Sequence, residues 1–156
     1  MPAEAQLTGY SDPRELALAT EGVLGRRILA YLLDIVVVFL LMSVLWVLIA
    51  LFGVITFGFG WMLFALLPLT AIAYNAITIA SEGQGTLGMR AAGLRVVDAV
   101  DGGRPSMLAA AVHALLFYVA VSTFLLWAID VVIGLARVDR RLGHDILSGL
   151  LLVRSR

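Results

Sequence analysis

Residues 28–51 form a 24-residue apolar run whose only charge is Asp34, and Arg26 and Arg27 stand immediately before it. A helix needs about 20 apolar residues to cross roughly 30 Å of hydrocarbon, so the run is long enough to span a bilayer. A carboxylate at the centre of such a helix costs roughly 2.5–3.5 kcal/mol on insertion scales, and residues bearing that cost face a protein interior or a water path. The run therefore predicts a membrane protein with at least one polar group placed where lipid would reject it.

Composition agrees. Of 156 residues, 62% are hydrophobic and 14% charged, and the mean hydropathy is +1.01. Soluble domains carry about 25% charged residues. The apolar excess lies in blocks, and the length suits one domain: a polar N-terminal cytoplasmic tail over residues 1–23 and a transmembrane domain over 24–154. The formal net charge is zero, which gives no reason to expect a nucleic-acid partner. With no cysteine, thiol catalysis, disulfides and cysteine-ligated metal are excluded. The first apolar run starts late and is too long for the core of a cleaved signal peptide, so it reads as an anchor that stays in place.

The fold class is an all-α integral membrane protein: a helical bundle of two full spans plus a third apolar segment, with a small cytoplasmic loop and strand element. Ahead of the bundle, Asp12 should cap a short surface helix with Pro13 at its first position. The spans should cover residues 27–51 and 61–80, separated by an uncharged glycine-aromatic turn. The third segment, 107–136, contains His113 and Asp130. Residues 94–98 read as a short strand followed by the turn Asp101-Gly102-Gly103, and residues 150–154 read as another.

The eleven basic residues are all arginine, and they bear on topology. Three full crossings would leave six on one side and five on the other. If residues 107–136 instead enter and return, all eleven share one side, which the positive-inside rule favours. That arrangement puts both termini in the cytoplasm and lets the two strands pair. Its weak point is the absence of Gly or Pro near residues 119–124.

Folded back in this way, Asp34, Asn75, His113 and Asp130 each lie six or seven residues from the cytoplasmic end of their segment, about 9–10 Å deep at the helical rise. Unsatisfied polar groups in hydrocarbon are expensive, so the four should bond one another. Arg27 should snorkel to the interface, leaving Asn75 or His113 as the partner of Asp34. Two readings follow. In one, the cluster is structural glue between helices. In the other, Asp34 passes protons or holds a small cation, with His113 as relay. The adjacent pair His144-Asp145 reads as structural, at the membrane surface. The span aromatics read as core or lipid contact, and two separated histidines do not have metal-ligand spacing. No cofactor is expected, and the glycine-rich stretch Gly83 to Gly88 lacks the ending of a phosphate-binding loop.

Three ordered blocks carry a resemblance. Arg27-x-x-Ala30-x-x-x-Asp34 opens the first span. Gly85-Thr86-Leu87-Gly88-Met89-Arg90 is followed by Gly93-Leu94-Arg95-Val96-Val97-Asp98. Arg140-Arg141-Leu142-Gly143-His144-Asp145 leads into Ile146-Leu147-Ser148-Gly149. Over residues 24–154 the chain resembles the RDD family of small multi-pass membrane proteins, named for one arginine and two aspartates. The resemblance implies Arg27, Asp34 and Asp145 as signature residues, with Gly85, Gly88, Arg141 and His144 in the supporting loops. It further implies a bacterial inner-membrane location, with transport proposed for the family. Met89 and His113 depart from the family pattern, replacing a frequent lysine and a common arginine.

The functional expectation is a small non-enzymatic membrane protein related to transport, exchanging a small cation for protons at Asp34. Too few spans are present to enclose a path alone, so a homo-oligomer or another membrane protein should complete it. The alternative is a scaffold or assembly factor whose polar cluster is structural.

Overall fold

The computed structural model describes residues 12–155. Helix α1, Pro13–Thr20, starts as expected: the Asp12 carboxylate accepts from the Arg14 amide at 2.8 Å, and Pro13 occupies the first turn. Gly22, at φ +68°, turns the chain into α2, Val23–Ile55. Its 33 residues measure about 50 Å at the helical rise, more than the roughly 30 Å of a bilayer core. The surplus lies at the start, where Val23 and Ala30 pack into a protein core. Further along, Phe39, Leu40, Trp46 and Ile55 are exposed, as lipid-facing side chains must be.

The second span differs in detail from the single helix expected. Residues Phe59–Leu66 wind as a 3-10 helix and continue into α3, Leu67–Ala80, with a proline in its first turn. The tight return from α2 depends on Gly53. The Trp61 indole fills the space a Cβ there would need, and its Nε1 donates to the Ala50 carbonyl at 3.3 Å. Together α2 and the Phe59–Ala80 rod are two helices long and apolar enough to cross a membrane.

The third segment folds back. Helix α5, Met107–Ser122, and helix α6, Phe124–Ala136, meet at a 120° bend. Their 16 and 13 residues give about 24 and 20 Å, each short of a full crossing. No Gly or Pro makes the turn. Thr123 makes it by taking an extended conformation, φ −132° and ψ 121°, between the two helices. A β-branched residue accepts that conformation readily, which is why the bend carries no obvious sequence mark.

Two short helices, α4 (Leu87–Ala91) and α7 (Gly143–Leu147), precede the strands β1 (Leu94–Asp98) and β2 (Leu150–Arg154). The strands pair antiparallel, with Leu94 opposite Arg154 and Asp98 opposite Leu150. The middle loop and the tail therefore lie at the same end of the bundle. Because strand side chains alternate between faces, each face of the ribbon has its own partner. Leu94, Val96, Leu150 and Leu152 pack with Val23, Ala30, Ile79 and Ala110 of the bundle. On the other face, Val97, Leu151 and Val153 pack under Leu16 of α1. A two-stranded ribbon alone is marginal in water, and burial on both faces stabilises this one.

The chain leaving α3 is tied to the ribbon as well. Gln84, at φ +47°, accepts from the Val96 amide at 2.6 Å and donates through Nε2 to the carbonyls of Val96 and Gly103. The Gly85 amide donates back to the Thr78 carbonyl at 3.3 Å. These bonds fix where α4 begins, and α4 supplies part of the site.

Candidate functional site

Asp34 is 9% exposed and accepts three hydrogen bonds, all from uncharged donors. The Tyr74 hydroxyl donates to Oδ1 at 2.8 Å and the Gly88 amide to the same oxygen at 2.9 Å, while the Thr86 hydroxyl donates to Oδ2 at 2.5 Å. Thr86 is also the N-cap of α4 and accepts from the Met89 amide. Tyr74 accepts in turn from the Leu87 amide at 2.9 Å. The start of α4 thus wraps the carboxylate. Gly88 permits the approach: a Cβ there would collide with the Ala30 carbonyl and lie 2.7 Å from the carboxyl carbon of Asp34.

The partners differ from those expected. Neither Asn75 nor His113 bonds Asp34. Asn75 donates through Nδ2 to the Ala71 carbonyl at 3.0 Å and to the Tyr118 hydroxyl at 3.1 Å. The four polar groups do not form one mutually bonded cluster. Tyr74 and Tyr118, read from sequence as core or lipid contact, are polar members of the site. The signal was available: a phenol in a buried position usually finds a hydrogen-bond partner, and Tyr74 is adjacent to Asn75.

The second centre surrounds Asp145, which has no exposed surface. Arg27 does not snorkel; it reaches across to donate from Nη2 to Asp145 Oδ2 at 2.5 Å, with 12% of its side chain exposed. The Leu142 amide donates to the same oxygen at 2.9 Å. Burial pushes the Asp145 carboxyl up, but the Arg27 guanidinium beside it outweighs this and holds the group well below the usual carboxylate range. His144-Asp145 is therefore a buried pair and not a surface one.

Asp130 accepts from the His144 amide at 2.9 Å and lies 2.7 Å from its ring Nδ1. The other ring nitrogen, Nε2, faces Asp145 Oδ1 at 3.4 Å. His113, on α5, directs Nδ1 at Asp145 Oδ1, 3.5 Å away, and at the Ser148 hydroxyl, 3.3 Å away. Arg141 backs the centre, donating from Nε to the Leu150 carbonyl and from Nη2 to the Asp145 carbonyl. Burial lowers its guanidinium pKa, against the opposing charges of Asp139 and Asp145. Arg141 thereby ties α7 to β2.

Between the two centres lies a cavity of about 410 Å³, lined among others by Arg27, Asp34, Asn75, His113, Tyr118 and His144. Of the residues singled out from sequence, these five (Arg27, Asp34, Asn75, His113 and His144) reach one space. Asp130 and Asp145 stand behind His144 through direct contacts. Gly88 and Arg141 hold the walls, and Gly85 acts through the loop bond to Thr78. The arrangement has two buried carboxylate centres facing a common pocket near the arginine-rich end of the bundle.

The RDD family model matches residues 22–149. The chain belongs to the RDD family. The match takes in Arg27, Asp34 and Asp145, and with them both carboxylate centres. No curated relative and no solved structure matches the chain.

Proposed function

We propose that this RDD protein is transport-related and that it exchanges a small cation for a proton at Asp34. The observation that carries the reading is the hydrogen-bond set of Asp34. A buried carboxylate lining a 410 Å³ cavity is bonded by hydroxyls and an amide, with no direct ion pair among the described residues. Such a group can lose its charge to a proton, or keep it and accept a cation, without breaking a buried ion pair. Hard cations favour oxygen donors, and Asn75 and Tyr118 supply further oxygens on the cavity wall.

The proposed setting is a bacterial inner membrane with the N-terminus and the strand ribbon in the cytoplasm. The arginines described fall in the segments flanking the ribbon end of the bundle, and the turn between α2 and the Phe59–Ala80 rod carries none, as the positive-inside rule requires. Two spans and a short hairpin enclose little by themselves, so a second copy or another membrane protein completes the path. The protein acts without covalent catalysis.

In proteoliposomes with a trapped pH-sensitive dye, Na⁺, K⁺ or Li⁺ pulses should move protons through the wild type. Asp34→Asn should abolish the response while leaving yield and oligomer size unchanged. No response to any of the three ions from the wild type would count against exchange. A reporter joined after Arg156 should be active only in the cytoplasm.

One observation favours a scaffold instead: each buried carboxylate also joins separate elements, Asp34 linking α2 to α4 and Asp145 linking α2 to α7. If so, Asp34→Asn should lose folding and any activity together.

A further inference from the structure

The cluster behind His144 holds an unused donor. Asp145 Oδ1 is buried and has no hydrogen-bond partner, although Oδ2 has two. Three atoms converge there: Asp145 Oδ1, His113 Nδ1 at 3.5 Å and His144 Nε2 at 3.4 Å. His113, His144 and Asp145 are all buried, and one donor atom from each lies within 4.8 Å of the others. The two imidazole rings meet with centroids 4.8 Å apart.

These separations have a specific chemical meaning. Zinc binds imidazole nitrogen and carboxylate oxygen at about 2.0–2.1 Å, and tetrahedral angles then set neighbouring donors about 3.3–3.4 Å apart. Two edges of the triangle, 3.5 and 3.4 Å, nearly match that spacing, and the third, within 4.8 Å, closes to it as the two rings turn toward the metal. The outer contacts match as well. A histidine that binds metal through one nitrogen usually gives the proton on the other to a carboxylate. Here Asp130, 2.7 Å from Nδ1 of His144, selects the tautomer that leaves Nε2 with its lone pair. Arg27 and the Leu142 amide hold Oδ2 and leave Oδ1 for a single bond. His113 and His144 both line the cavity, which gives a metal ion a route to the three donors.

We propose that His113 Nδ1, His144 Nε2 and Asp145 Oδ1 form a three-ligand site for a zinc-type divalent transition metal, with Asp130 positioning His144. The site is independent of cation exchange at Asp34. Arg27 is the main opposing charge. It reduces affinity and ranks the site with exchangeable metal sites, below structural zinc sites that are closed by four ligands. Binding fixes the proton of His113 on Nε2, which releases Nδ1 from the Ser148 hydroxyl.

The test uses the full chain, free of a histidine tag, purified in detergent and stripped with a chelator. Titration with Zn²⁺ by calorimetry should show one equivalent bound, and Co²⁺ should give the intense visible bands of a tetrahedral nitrogen–oxygen site. His113→Ala and His144→Ala should each weaken binding at least tenfold. Asp130→Asn leaves all three ligands in place, yet should weaken binding about tenfold to a hundredfold and shift the Co²⁺ spectrum. If His144→Ala fails to fold, His113→Gln and Asp130→Asn carry the test, each checked for a single elution peak. Asp34→Asn should bind Zn²⁺ as the wild type does, even where it abolishes flux. Absence of saturable binding by the folded wild type would overturn the proposal. So would one-equivalent binding that survives both His113→Ala and Asp130→Asn.

Discussion

Asp34 and Asp145 are the same residue type, both buried and both tied to α2, the first as part of that helix and the second through Arg27, yet their surroundings differ in kind. Asp34 is bonded by two hydroxyls and an amide, and Asp145 by a guanidinium and an amide. The contrast shows that one small bundle buries two carboxylates by two different means. A carboxylate paired with arginine is locked in its charged form and fastens elements together. A carboxylate held by neutral donors is stabilised without a fixed countercharge beside it. The arginine before the first span lies seven residues from Asp34, and it serves the other aspartate.

The sharpest way to break this contrast is to disrupt the locked pair. Arg27→Ala should leave Asp145 buried and unpaired, which costs about 3–5 kcal/mol. Thermal unfolding in detergent should show a large loss, with the double variant Arg27→Ala/Asp145→Asn recovering part of it. Full additivity of the two single changes would show that the pair is not coupled. Next is Gly88→Ala, which forces α4 away from Ala30 and Asp34. Overpacking of this kind costs about 1–3 kcal/mol, and the same unfolding assay should register it. Asp34→Asn should cost less, about 0.5–1.5 kcal/mol, because its partners are neutral and the amide oxygen still accepts. A stability loss as large as that of Arg27→Ala would erase the distinction between the two centres.

Acid provides a gentler probe. Because the Asp145 carboxyl is depressed in the folded state, its contribution is fully present above the ordinary carboxylate pKa of about 3.9. That contribution is lost as pH falls further, toward the folded value. The wild type should therefore lose stability steadily in that acidic window. Asp145→Asn should show a flatter profile there, and an unchanged slope would mean that other carboxylates govern acid unfolding.

Much of the scaffold was readable because its determinants are local. Apolar run length marked the spans, Asp12-Pro13 marked the start of α1, and the short apolar stretches at residues 94–98 and 150–154, the first followed by the Asp101-Gly102-Gly103 turn, marked the two strands. The return of the third segment followed from the arginine distribution, although Thr123 itself carried no mark. The site was readable only by residue type. Asp34, Asn75, His113 and Asp130 were all flagged as costly in lipid, and all are buried. Their pairings were not legible, because partners are chosen by how helices rotate and by where α4 and α7 are anchored. Depth along a span says nothing about rotation. For the same reason, the 30 residues between His113 and His144 hid the convergence of their rings, and Arg27 was assigned to the interface on the geometry of its own helix alone. Thr86 could have been found as the cap of α4, but its second bond, to Asp34, required the fold.

The pairing of β1 with β2 has a consequence for biogenesis. Leu150 and Leu152 complete the core around Val23 and Ala30, yet among the described elements β2 is the last to leave the ribosome. Until it arrives, β1 has an unpaired edge, and the base of α2 keeps an apolar patch uncovered in water. A ribosome stalled before residue 150 would leave an open edge and an uncovered apolar patch that invite aggregation.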